Sequence, residues 1–175
     1  MRVVFGSDHG GAELKHDLLA RMPSLAPGIE TIDVGGDGSD PLDDYPDFSL
    51  RVGHAIRDGE ADRGVLICGS GVGAAIAATK IVGVRASVCH DTYTARQGVE
   101  HDDMNVLCMG ARVIGIELAT ECLRAFLGAE FSTEPRHHRR VGKVLAIEAT
   151  RGQLDEEELD RATPAGAVAG AEVAG

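Results

Sequence analysis

The sequence predicts an α/β protein: a five-stranded parallel sheet with helices on both faces. Three observations carry this. Short β-branched runs alternate with helical stretches through most of the 175 residues. Aromatic residues make up 3% of the chain and Trp is absent, so Val, Ile, Leu and Ala must pack the core around close glycine contacts, as in sheets covered on both sides. Glycine and polar residues follow the first, third and fifth apolar runs, which gathers functional groups on one edge of the sheet.

The elements follow in order. Apolar runs predict strands over 3–5, 29–34, 65–68, 84–89 and 105–109. Between them, helical spacing predicts helices over 12–22, 46–57, 74–80 and 92–99, and a longer one over 116–127. Strand, helix and strand in this alternation require right-handed crossovers and a parallel sheet. Residues 35–45 are rich in Asp and Gly without periodicity and read as a loop long enough to cover a pocket. After Pro135, the basic run 136–140 leads into an apolar-periodic stretch, 141–147, expected as a last helix. Residues 1–150 thus read as one domain. Residues 151–175 change character, with an acidic patch followed by an Ala/Gly/Val tail too small in side-chain bulk to bury, and about the last 15 are expected to be disordered.

Composition excludes several functions. Seventeen Lys and Arg against 28 Asp and Glu give a net charge of −11, which argues against nucleic acid or an anionic membrane as the main partner, though not against a small anion in a local basic pocket. No amino-terminal signal and no long apolar span is apparent, and four cysteines lie at or inside apolar runs, so reduced thiols in a cytoplasm are expected. Neither the cysteines nor the seven histidines show a zinc-ligand spacing, and no metal is expected.

The most informative stretch is 65–80, an apolar strand ending in Cys68, then a glycine loop that opens a helix. Loop N–H groups and the positive end of a helix favour an anion or oxyanion there, and favour a thiolate at Cys68. Gly69-Ser-Gly-Val-Gly-Ala74 also satisfies a dinucleotide pattern, with Asp91 twenty residues beyond Gly71. Nucleotide binding is therefore a competing reading, although it leaves the cysteine unexplained and Asp91 equally suits a helix cap before Thr92. Cys89, Cys108 and Cys122 read as small core hydrophobes.

Asp8 and His9 follow strand 1 at the same edge, suited to sugar hydroxyls and phosphate, or simply to stabilising a turn. His101 and Asp102 end the fourth helix; His101 either caps that helix or approaches the Cys68 edge. Arg112, Arg136 and Arg140 are the anion candidates, because guanidinium forks match phosphate oxygens; Arg136 and Arg140 share a face if a helix starts there. A solvated basic cluster is the plainer alternative. Together these groups point to a small phosphorylated substrate, a cysteine base and a histidine for a second proton, with no cofactor.

The chain resembles the type B ribose-5-phosphate isomerases, a family that includes galactose-6-phosphate isomerase subunits. The resembling residues are Phe5-Gly-Ser-Asp-His-Gly-Gly11, Asp44-Tyr-Pro46, Leu66-Ile-Cys-Gly-Ser-Gly-Val-Gly73, Ile76-Ala-Ala-Thr-Lys80, Gly83-Val-Arg-Ala86, Glu100-His101, Asn105-Val-Leu107, Gly110-Ala-Arg-Val-Ile-Gly115 and Arg136 to Arg140, in order over about residues 1–148. The resemblance implies a Rossmann-like three-layer α/β/α sandwich, a homodimer whose active sites draw on both subunits, and aldose–ketose interconversion through a cis-enediolate. It implies Cys68 as the base between C1 and C2, with Ser70 and the amides of Gly69, Gly71, Val72 and Gly73 on the enediolate oxygens. It further implies His101 in ring opening, Asp8 and Tyr45 along the sugar, and His9, Arg112, Arg136 and Arg140 on phosphate. One position departs from the family, which commonly has asparagine after the catalytic histidine where this chain has Asp102. An acceptor there replaces a donor, so a tetrose or hexose phosphate joins ribose 5-phosphate as a candidate substrate. A silent sugar-phosphate sensor, or one subunit of a hetero-oligomer, is a further alternative.

Overall fold

The computed structural model describes residues 1–162, which fall into two compact units, Met1–Glu130 and the segment from Phe131 onward. In the first unit the elements run β1 (Arg2–Ser7), α1 (Ala12–Leu25), β2 (Glu30–Asp33), α2 (Tyr45–Arg57), β3 (Arg63–Cys68), α3 (Val72–Ala78), β4 (Ala86–Val88), α4 (Thr92–Asp102), β5 (Val106–Gly110) and α5 (Ile116–Gly128). All strand pairs are parallel, in the order β2-β1-β3-β5-β4. The five expected strands are present, and the expected helices lie within a few residues of their predicted bounds.

Alternation along the strands sorts side chains into two cores. Val3, Phe5, Val65, Ile67, Leu107 and Met109 face one side, where Leu14, Leu18 and Met22 of α1, Ala95 and Val99 of α4, and Leu123 and Phe126 of α5 cover them. Val4, Leu66, Cys68, Val106 and Cys108 face the other, against Val52 and Ala55 of α2 and Ala74 and Ala78 of α3. This is the three-layer α/β/α sandwich. The central strands are buried at nearly every position because both faces are covered.

The chain leaves β1 for β2 on one side and returns to β3 on the other. The carboxyl ends of β1 and β3 therefore flank the crevice where strand order reverses, the place where open α/β sheets take their ligands.

The second unit holds α6 (Pro135–Ala149) and α7 (Glu156–Arg161). Helix α6 takes in the basic run as well as the apolar stretch. The acidic patch, for which no element was expected, forms α7. Asp155 accepts the Glu158 N–H at 2.9 Å while Glu158 accepts the Asp155 N–H at 3.0 Å, a capping box that nucleates the turn. An ion pair from Lys143 to Asp160 ties α7 to α6. The Ala/Gly/Val tail lies outside the described residues from 163 onward.

Candidate active site

Cys68 is the last residue of β3, buried with 5% of its surface exposed, and its Sγ accepts the Gly71 N–H at 3.0 Å. Gly71 makes this possible by a left-handed turn at φ 82°, and a Cβ there would lie 3.0 Å from the Met109 backbone carbon. Val72 donates its N–H to Ser70 Oγ at 3.3 Å. Two loop amides assigned to the substrate from sequence are thus engaged by the loop's own side chains.

The loop after β1 lies directly against this turn, since a Cβ on Gly10 would sit 3.3 Å from both Gly69 N and Asp8 Oδ1. Asp8 is buried and accepts the Gly11 N–H at 3.1 Å. Burial pushes its carboxyl above the usual range, partly offset by the neighbouring His9. Arg112 donates its backbone N–H to Gly69 O at 3.0 Å, and its guanidinium Cζ lies 3.5 Å from where a Gly69 Cβ would stand. The ring of Tyr45, at the start of α2, packs on Gly73 so closely that a Cβ would come within 2.8 Å of it. Cys68, Ser70, Asp8, His9, Tyr45, Arg112 and the glycine loop are therefore collected on one sheet edge.

His101 and Asp102 are not brought there within one chain. They close α4, which runs antiparallel to the strands and delivers the chain to the beginning of β5. Val106 at that end pairs with Gly64, whereas Gly110 at the other end pairs with Cys68. Four residues of strand span about 13 Å, so the expected approach of His101 to its own Cys68 edge is corrected by topology. The His101 ring is 2.9 Å from Gln97 Nε2, one turn back on the same helix. Arg136 and Arg140 lie one turn apart on α6 of the second unit, both exposed.

Three contributors were not legible as site residues. Asp43 holds His9, accepting its N–H at 2.9 Å and its ring Nδ1 at 2.6 Å. The loop reading covered Asp43, but nothing distinguishes it from the other aspartates at 37, 40 and 44. His90 Nε2 accepts the Gly110 N–H at 2.9 Å and so steadies the turn under Ser70; only its place after a strand hinted at this. Lys15, 1% exposed, pairs with Asp33 at 2.6 Å and donates to Gly35 O at 2.9 Å, anchoring the root of the covering loop. That loop borders a cleft of about 540 Å³ lined by Asp37, Asp40, Asp43, Asp44, Asp47 and Arg51, whose charge repels an anion.

The nucleotide reading loses its acidic residue. Asp91 caps α4, accepting Thr94 N–H at 2.8 Å and the Thr94 hydroxyl at 2.7 Å. No group of three His, Cys, Asp or Glu side chains among the described residues is arranged to hold a metal, and no described helix is long and apolar enough to cross a membrane.

Residues 3–144 match the Ribose/Galactose Isomerase family. The chain belongs to that family. Membership makes it an isomerase and places its sandwich among Rossmann-like folds. It is 44% identical over 150 residues to ribose-5-phosphate isomerase B of Escherichia coli, covering 86% of this chain and 98% of that one. It is 36% identical over 148 residues to D-erythrulose-4-phosphate isomerase 2 of Mycolicibacterium smegmatis, covering 85% and 97%. Among solved structures, ribose-5-phosphate isomerase B of Clostridium thermocellum matches with a TM-score of 0.80 at 45% identity, covering 86% of this chain and 99% of that one.

Proposed function

We propose that this isomerase interconverts ribose 5-phosphate and ribulose 5-phosphate, with Cys68 as the base. The observation that carries the reading is the meeting, at the strand-order crevice, of a sulfur that accepts an amide N–H with the side chains of Asp8, Tyr45, His9 and Arg112. In the open-chain aldose, the Cys68 thiolate removes the C2 proton. The C–H electrons form the C1–C2 double bond and the charge moves to O1 as a cis-enediolate. Ser70 and the Gly69 and Gly73 amides stabilise that oxygen; the thiol then returns its proton to C1 while the O2 proton passes to O1, leaving a ketone at C2 and a hydroxyl on C1. His9 and Arg112 grip the phosphate, so binding energy remote from the reacting carbons orients the chain.

His101 assists ring opening from a second copy of the chain, because its own helix delivers it to the far edge of the sheet. A homodimer with shared active sites follows, with Asp102 beside the sugar of the neighbouring site. Four unpaired thiols suit a cytoplasmic setting. A second reading, the same chemistry on a tetrose phosphate, is favoured by the erythrulose-phosphate relative and by Asp102. The test is an isomerase assay across four-, five- and six-carbon sugar phosphates, with C2 exchange in deuterated water followed by NMR. The pentose pair is expected to give the highest kcat/KM. A preference for the tetrose moves the assignment to the second reading, and no exchange with any substrate overturns both.

A further inference from the structure

His9 is held by a residue just outside the motif stretch 44–46. A single oxygen, Asp43 Oδ1, receives both the main-chain N–H of His9 at 2.9 Å and its ring Nδ1 at 2.6 Å. The Asp43 side chain is the more sheltered partner, 14% exposed against 35% for His9. We propose that Asp43 is a positioning residue for the phosphate site, fixing His9 by backbone and ring together so that its Nε2–H is presented to the anion. This inference rests on the sugar-phosphate reading above.

The chemistry follows from the donor inventory. An ionised carboxylate only accepts, so Nδ1 carries a hydrogen, and a neutral ring held this way leaves Nε2 with a lone pair that repels phosphate oxygens. Only the imidazolium has both hydrogens. The charged groups facing His9 are Asp43 and Asp8 on one side of the balance and Arg112 on the other. The hydrogen bond to Asp43 comes first and, with the two carboxylates, lifts the imidazole above its ordinary value despite desolvation and Arg112. The imidazolium therefore persists to higher pH than in a free histidine. Asp43 also offsets the repulsion between the His9 imidazolium and Arg112.

Asp43→Asn separates charge from shape, since the amide oxygen still accepts from Nδ1. Imidazole NMR titrations of wild type and Asp43→Asn, with His9→Gln to assign the resonance, are compared with inorganic phosphate affinity and with KM for ribose 5-phosphate. In Asp43→Asn the His9 midpoint is expected to fall. Phosphate affinity is expected to weaken about fivefold near pH 7.5, the loss closing near pH 6 where the ring is protonated regardless, as for removing charge from a charge-assisted contact. KM is expected to follow the same pH dependence, with a smaller effect on kcat. Superimposable titrations overturn the proposal, and so does a loss of affinity equal at both pH values, which a purely structural role produces. If wild-type protein isomerises no sugar phosphate, the functional reading falls, while the titration with inorganic phosphate still decides the role of Asp43.

Discussion

Cys68 differs from the other three thiols in where its strand ends. Cys89, Cys108 and Cys122 are sealed among apolar side chains; burial raises all three, Cys122 to about 11 and Cys108 higher still, so they stay protonated and inert. Cys68 instead stands at the crevice with an amide donor on its sulfur. Cys68→Ala is expected to lower kcat by at least about 100-fold with little change in KM, which steady-state kinetics and a substrate-binding titration check together. Gly71 is the residue that turns that amide inward. Gly71→Ala is expected to destabilise the fold by about 1–2 kcal/mol, because a left-handed backbone with a Cβ against Met109 is strained, and chemical denaturation measures it. Cys68 was legible in the sequence because a lone thiol before a glycine loop has few roles. Asp43 and His90 were not, since hydrogen bonds spanning 34 and 20 residues leave no local spacing behind.

At the scale of elements, period and breakers marked what existed, and capping set where it stopped. Helix α4 runs on to Asp102 because Asp103 at φ 51° provides a left-handed cap there. Helix α5 carries Phe126 into the core beneath the Arg63 guanidinium, 5.1 Å from the ring centroid. Phe126→Ala is expected to cost about 3–5 kcal/mol, read by urea unfolding. Helix α7 depends on its capping box more than on packing, as it has no buried residue. Asp155→Ala is expected to speed amide hydrogen exchange in α7 on the order of fivefold while β3 and β5 keep their protection. The Asp-x-x-Glu signature is present in the sequence, but the acidic residues around it carry no apolar period to mark a helix.

At the scale of the whole molecule, the sheet separates groups that the proposed chemistry needs together. If the active site draws on two copies, Cys68→Ala and His101→Asn proteins, each inactive alone, complement one another when mixed under subunit exchange. One site in each mixed dimer is then intact, and recovery of about a quarter of wild-type activity is expected at equal proportions. Recovery is measured directly in the isomerase assay. A site complete within one chain gives none.

The sequence by itself determined the α/β class, the five strands, the Cys68 loop and the family, because hydrophobic period, glycine placement and motif spacing are local properties that neighbouring residues carry. Strand order, the crevice between β1 and β3, the hold of Asp43 on His9 and the position of His101 across the sheet were decided only by tertiary structure. Crossovers and strand pairing join residues far apart in the chain, and no local pattern records which edge a helix end will reach.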